Sequence, residues 1–192
     1  MGNKTRDEIV NAAVNLFQKN GYRNTSVDEI VKEINKTKYS FYRVFDDKEE
    51  ILYIIHESII SDLLSDGERI VEKDISVEEK IGQLIGLIMN NMQNYLSYVT
   101  VFLTEMQSLT GERLADVVDK RNRFFQIVYN VLSEGIAKGN LRADLNPKML
   151  TLALLGMCNW MYTWFSPEGE FEAAEIGKMF LTLFLEGASA KK

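Results

Sequence analysis

At 192 residues, with 46% hydrophobic residues and only two prolines, the chain is long enough to bury one large core or two smaller ones. Its single cysteine, Cys158, excludes an intramolecular disulfide and a cysteine-based zinc site, and a net charge of −6 argues, as a sum, against DNA binding. The distribution argues the other way: residues 1–45 hold eight Lys/Arg against five Asp/Glu, and the remainder fourteen against twenty-three.

Long helical periods and few strand-like alternations predict an all-α protein. The first helix runs from about Asn3 to Asn20, with Ile9, Val10, Ala13, Val14 and Phe17 on its inner face and Gly21 as its stop. Thr25 or Ser26 then caps a second helix, in which Val27, Ile30, Val31 and Ile34 make one apolar stripe. Asn35 stands where that helix should end, since Asn tolerates a left-handed backbone. Thr37 can cap a third helix. On it Phe41 and Phe45 face inward, and the pairs Lys38/Tyr42 and Tyr39/Arg43 share the exposed side. Two short helices around a tight turn, the second one polar, make a helix-turn-helix, whose second helix enters the DNA major groove. A plain helical hairpin with a solvated charged face would show the same local pattern.

The wider stretch is more specific. Arg6, Ile9, Ala13, Leu16-Phe17, Gly21-Tyr22, Thr25-Ser26-Val27, Ile30, Thr37-Lys38, Phe41-Tyr42, Phe45, Lys48-Glu49 and Leu52 stand in an order and spacing that resembles the TetR family of transcriptional regulators. The chain departs at Asn35-Lys36, where the family usually has Gly-Val, and at Tyr39, where it often has a small residue. The resemblance implies a helix-turn-helix DNA-binding domain over 1–46 and a larger helical ligand-binding and dimerisation domain over 47–192. It also implies DNA-facing roles for Thr25, Ser26, Lys36, Thr37, Lys38, Tyr39, Ser40, Tyr42, Arg43 and Lys48. Within that set Lys38, Tyr39, Ser40 and Arg43 are expected at base edges. Thr25, Ser26, Tyr42 and Lys48 are expected at phosphates.

Past Phe45, Asp47 and Glu50 have the offset of a reciprocal cap, and the helix they start continues through Leu63 as a link to the second domain. Ser76 to Glu79 is another capping box. The run from Ile81 to Leu109 reads as two helices broken near Tyr95 to Ser97, and Glu112 to Lys138 as one amphipathic helix. Asn146-Pro147 starts a helix to Phe165. The last helix runs from Phe171 to Glu186, with Ile176, Met179, Phe180, Leu183 and Phe184 as its stripe. Met149 to Phe165 is uncharged but short of the roughly 20 residues of a membrane span, so burial inside protein is the better reading. No apolar signal-peptide core opens the chain, so a cytoplasmic protein is expected.

The helices over 147–165 and 171–187 are apolar on broad faces, which predicts a homodimer through a four-helix interface; filling a monomer's core would use the same residues. Methionine and aromatic stripes are more often plain core than ligand wall. The resemblance nonetheless implies a cavity for a small, largely apolar effector. Its candidate residues are Phe102, Met106, Arg121, Phe124, Phe125, Tyr129, Asn159, Trp160 and Trp164. Residues 156–169, GMCNWMYTWFSPEG, resemble a TetR subgroup regulating fatty-acid and sterol breakdown, which implies an acyl-coenzyme A effector; the subgroup often has a basic residue where Thr163 stands. The expected function is therefore a ligand-responsive repressor on a palindromic double-stranded operator. A multidrug-type regulator sensing hydrophobic or cationic compounds and a helical protein-interaction module are the alternatives. No catalytic constellation, metal-ligand cluster or cofactor motif is found; His56 reads as a packing or solvent-facing residue.

Overall fold

A computed structural model describes residues 2–188, and among these the secondary structure is helical. The helices are α1 (Gly2–Asn20), α2 (Val27–Glu33), α3 (Lys38–Tyr42), α4 (Lys48–Val71), α5 (Val77–Thr104), α6 (Gly111–Ala137), α7 (Pro147–Asn159) and α8 (Ala173–Ala188). One-turn 3₁₀ segments follow α5 at Met106–Ser108 and α7 at Trp160–Thr163.

Local chemistry sets most of these limits. Gly21 takes φ +83, and its N–H returns to Phe17 O at 2.9 Å, closing α1. Ser26 and Glu29 form a reciprocal capping box at the start of α2. Asn35, at φ 53, turns the chain out of α2, and the next N–H, of Lys36, donates to Val31 O at 2.8 Å. Thr37 caps α3, Asp47 accepts from Glu50 N–H at 2.7 Å, and Asn146 accepts from the first N–H groups of α7.

Two helices end earlier than expected, and the break expected in the 81–109 run is present. Helix α3 ends at Tyr42, so Phe45 lies beyond it, still buried, with its ring centroid 5.5 Å from that of Phe41. The break in α5 is a single non-helical residue, Tyr95 (φ −138, ψ 36), inside the expected interval. The helix expected to reach Phe165 leaves α geometry at Asn159. The Thr163 hydroxyl donates to Trp160 O at 2.8 Å, and the bulky run around it tightens into 3₁₀ spacing.

The described residues divide into two compact units. The first comprises the chain up to Ile59 together with Ser97–Val118. It is wider than the 1–46 segment because Ile51, Leu52, Ile55, Val101, Leu109 and Val117 share one apolar core with Ile9, Phe17, Ile30, Phe41 and Phe45. The second comprises Ile60–Leu96 and the chain from Asp119 onward. Its buried residues include Ile81, Ile85, Met89, Phe124, Val128, Leu132, Leu154 and Ile176. There α8 crosses α5 closely at Gly177, where a Cβ would stand 2.7 Å from Met89 Cγ. The stripe read on the last helix is divided: Ile176 is buried, whereas Met179 and Leu183 face outward.

Candidate nucleic-acid interface

Burial of Phe41 orients α3. With that ring wholly inside, its neighbours in sequence are turned out, and Tyr39 is 75% exposed and Tyr42 58%. Lys36, Thr37, Lys38 and Arg43 are exposed beside them, and Ser40 is half-buried. Ser26, at the head of α2, is exposed as well. The expected base-reading and phosphate-holding side chains of the turn and of α3 thus fall within one short stretch of surface. It mixes cationic, hydroxyl and aromatic groups, the types that meet phosphate oxygens and base edges.

Two cations there have protein partners. Lys38 Nζ meets Asp28 Oδ2 of α2 at 2.8 Å, and this hydrogen bond holds the ammonium above its ordinary value. Lys36 lies 3.8 Å from Glu8 of α1. Both pairs are open to solvent, so water and salt weaken them, and the polyanionic phosphates of a duplex compete with them readily.

Thr25 and Lys48, also expected at phosphates, have hydrogen-bond partners within the protein. Thr25 is 1% exposed, and its hydroxyl serves the carbonyls of Gly21 (3.0 Å) and Leu16 (3.4 Å). The Lys48 ammonium donates to Tyr22 O at 2.7 Å and Thr25 O at 2.5 Å and stands 4.1 Å from the Tyr22 ring centroid. Burial lowers this ammonium below its ordinary value. Burial likewise pushes the Tyr22 phenol up to about 12, assisted by the nearby Glu49 and Asp47 carboxylates. The loop over 21–25 is therefore held to the first turn of α4 through its own carbonyls.

Residues with no sequence signal complete the support. Arg113 of α6 donates to Asp47 at 2.8 Å, Thr110 N–H donates to Glu49 at 2.7 Å, and Glu105 accepts from Tyr22 N–H at 3.1 Å. These partners are 61 to 83 positions apart in the chain, beyond any local periodicity.

The expected effector residues are spread over both units. Phe102 and Met106 belong to the first, where the Phe102 ring lies 5.4 Å from that of His56, itself buried. In the second, Phe124 is buried, Phe125, Tyr129 and Asn159 are half-buried, and Trp160 (64% exposed) and Trp164 lie on the surface. Burial lowers the Arg121 guanidinium below its ordinary value. Two adjoining grooves in the second unit, of about 400 and 770 Å³, are lined by other residues. They share Gly82, Gly86 and Asn90 of α5 and Leu181 of α8. Glycines four apart within a helix were the available signal for this trough. Among the described residues no group of His, Cys, Asp and Glu could hold a metal ion, and no helix is long and apolar enough to cross a membrane.

Comparison with known proteins agrees with the geometry. Residues 9–53 match the model for bacterial regulatory proteins of the tetR family, and residues 74–188 match the tetracyclin repressor-like C-terminal domain. The HTH-type transcriptional repressor KstR2 of Mycobacterium tuberculosis is 24% identical over 187 residues, which cover 96% of this chain and 93% of the repressor. A solved structure of KstR2 from that species superposes with TM-score 0.92 at 22% identity, over 97% of this chain and 95% of that one. A transcriptional regulator FadR from Bacillus subtilis, solved with stearoyl-CoA, has TM-score 0.72 at 22% identity, over 95% and 98% of the two chains. AibR, solved with isovaleryl coenzyme A and operator DNA, has TM-score 0.82 at 23% identity, over 93% and 96%.

The support beneath α3 has a pH signature. Burial alone would raise the Asp47 carboxyl, but the hydrogen bond from Arg113 and the N–H groups of Glu50 and Glu49 outweigh it and hold the group below the usual carboxylate range. A group lowered on folding adds stability above the ordinary carboxylate range, near about pH 4, and loses it as pH falls through the depressed value. Arg113→Met should therefore be less stable than the parent at about pH 6 in urea unfolding, with the difference shrinking toward about pH 3. A difference independent of pH would show that the pair does not titrate as described.

Proposed function

Because the chain belongs to the TetR family of bacterial regulatory proteins, we propose that it is a ligand-controlled transcriptional repressor, binding a palindromic operator as a homodimer in the cytoplasm. The carrying observation is the outward face of α3, with Tyr39 and Tyr42 exposed beside Lys38 and Arg43 while Phe41 anchors the helix from below. In this reading residues 1–46 bind DNA. Lys38, Tyr39, Ser40 and Arg43 meet base edges, Tyr39 through a thymine methyl, and Ser26, Lys36, Thr37 and Tyr42 fix register on phosphates. Lys38 exchanges its bond to Asp28 for one to the duplex.

The homodimer reading is supported by the apolar surface of α7, its 3₁₀ extension and α8. Met149, Leu152, Trp160, Trp164, Met179 and Leu183 are all exposed there, an unusual amount of large apolar side chain for a free surface. A two-fold pair of reading heads suits half-sites about 34–36 Å apart. The effector is proposed to be an acyl-coenzyme A thioester. Support comes from the acyl-coenzyme A ligands of FadR and AibR, whose folds this chain shares. Its binding shifts the protein to a conformer in which α4 tilts and the two heads no longer fit one operator, which requires unequal effector affinity for the two conformers.

Selection of bound duplexes from a random pool, followed by anisotropy titration over a salt series, tests the reading. Binding should weaken steeply with salt, and Tyr39→Ala should change the selected sequence while leaving the salt slope in place. An unchanged selection would remove Tyr39 from base reading. Stearoyl-coenzyme A should release the selected duplex and free stearate should not; equal effects, or none, would reject the thioester. Leu183→Asp should sediment as a monomer and bind the selected duplex about 100-fold or more weakly, since the second half-site no longer adds. A parent protein that itself sediments as a monomer at binding concentrations would reject the dimer.

A further inference from the structure

The loop between α1 and α2 is gripped from two sides, and one grip comes from far along the chain. Tyr22 O accepts from Lys48 Nζ at 2.7 Å, while Tyr22 N–H donates to Glu105 Oε1 at 3.1 Å. The same carboxylate oxygen lies 3.4 Å from where a side chain on Gly21 would begin, an ordinary contact distance, so Glu105 lies directly against the loop. The Glu105 carboxylate also attracts the Lys48 ammonium, placing two opposite charges around neighbouring peptide groups. Charge-assisted bonds of this kind are the stronger ones.

Glu105 is itself fixed by its own segment. Its N–H donates to Val101 O at 2.9 Å, and its second oxygen accepts from Ser108 Oγ at 3.2 Å. The following residues are tied to the first turn of α4. Thr110 donates to Glu49 through both N–H (2.7 Å) and hydroxyl (3.1 Å), and Arg113 donates to Asp47 (2.8 Å). Three consecutive residues, Asp47, Lys48 and Glu49, thus reach Arg113, the loop and Thr110 respectively. The segment over 105–113 and the loop over 21–25 are joined through that one helical turn and through Glu105 directly. Ser26, which heads α2, is four positions after Tyr22.

Resting on the DNA-binding reading above, we propose that Glu105 is a positioning residue for operator recognition: by holding the Tyr22 peptide it sets where α2 begins, and with it the register of the reading helix. The carboxylate itself touches no DNA. A shift of the 105–113 segment carries Glu105 away from the Tyr22 N–H and leaves that group to water. The loop then moves about its remaining ties, to Lys48 and through Thr25 to Leu16, and sequence-specific binding falls while attraction to phosphates persists. This is how a supporting side chain acts on a binding surface, since side chains must be held to within about 0.5 Å of productive geometry.

The test compares Glu105→Ala and Glu105→Gln with the parent on the selected duplex and on a scrambled duplex of equal length. Glu105→Ala should lose about tenfold on the selected duplex, the scale of one charge-assisted bond. Its affinity for the scrambled duplex should stay within about twofold, with both salt slopes unchanged because no phosphate contact is lost. Glu105→Gln, which retains an acceptor oxygen, should recover most of the loss. Equal losses on both duplexes would mark a merely structural role and overturn the proposal, as would unchanged binding to both. Should Glu105→Ala fail to fold, Ser108→Ala, which frees the carboxylate to swing, takes its place. Weakening on the selected duplex alone supports the proposal, and no weakening overturns it. A parent protein that selects no duplex at all would instead reject the DNA-binding reading, together with the inference built on it.

Discussion

Five residues make barely more than one turn of helix, and α3 has no more than that. Helix nucleation is unfavourable, so so short a segment holds no helical shape alone in water. What holds it is the burial of Phe41 within it and of Phe45 just past its end, in the same core as Phe17 and Ile30. Each such aromatic ring contributes on the order of 2–3 kcal/mol by leaving water. The direction in which Tyr39, Tyr42 and Arg43 point follows from that burial, because a helix with one face committed inward has no choice about the other.

Around this core the polar atoms of the loops are consistently occupied. Thr25 serves the carbonyls of Leu16 and Gly21, Lys48 those of Tyr22 and Thr25, and Glu105 the N–H of Tyr22. Backbone groups half-buried beside an apolar core cost free energy if unpaired, which gives these side chains a structural task. It separates two kinds of cation in the basic part of the chain. Lys48 is drawn inward, where burial lowers its pKa, whereas Lys38 and Arg43 stay on the surface. Lys38 keeps its charge beside Asp28, in an exposed pair that water and salt weaken.

The second unit solves a different problem. Helix α8 must approach α5 closely enough to exclude water, and Gly177 against Met89 allows it. The opposite face of α8, with Met179 and Leu183, and the surface of α7 with Met149 and Leu152, remain uncovered in the single chain. Apolar side chains exposed in such number cost solubility unless something covers them, which is the physical root of the dimer reading.

Much of the first unit was legible in the sequence because its signals are local. The apolar spacing of Ile9 to Phe17, the glycine and asparagine stops at Gly21 and Asn35, and the caps at Ser26, Thr37 and Asp47 each act within one helical turn. The helix limits and the outward face of α3 follow from them with few errors; the early ends of α3 and α7 are the main ones. Sequence could not show that Lys48 spends its charge on carbonyls 23 and 26 positions back, or that Glu105 reaches Tyr22 across 83 positions. Nor could aromatic and methionine stripes reveal which residues share a cavity, because the same side chains fill an ordinary core equally well. Periodicity and capping determined the helices and the exposed face of α3. The pairing of distant charges, the division into units and the choice of which apolar stripe stays uncovered were decided only when the chain closed on itself, since those depend on distances that local order leaves open.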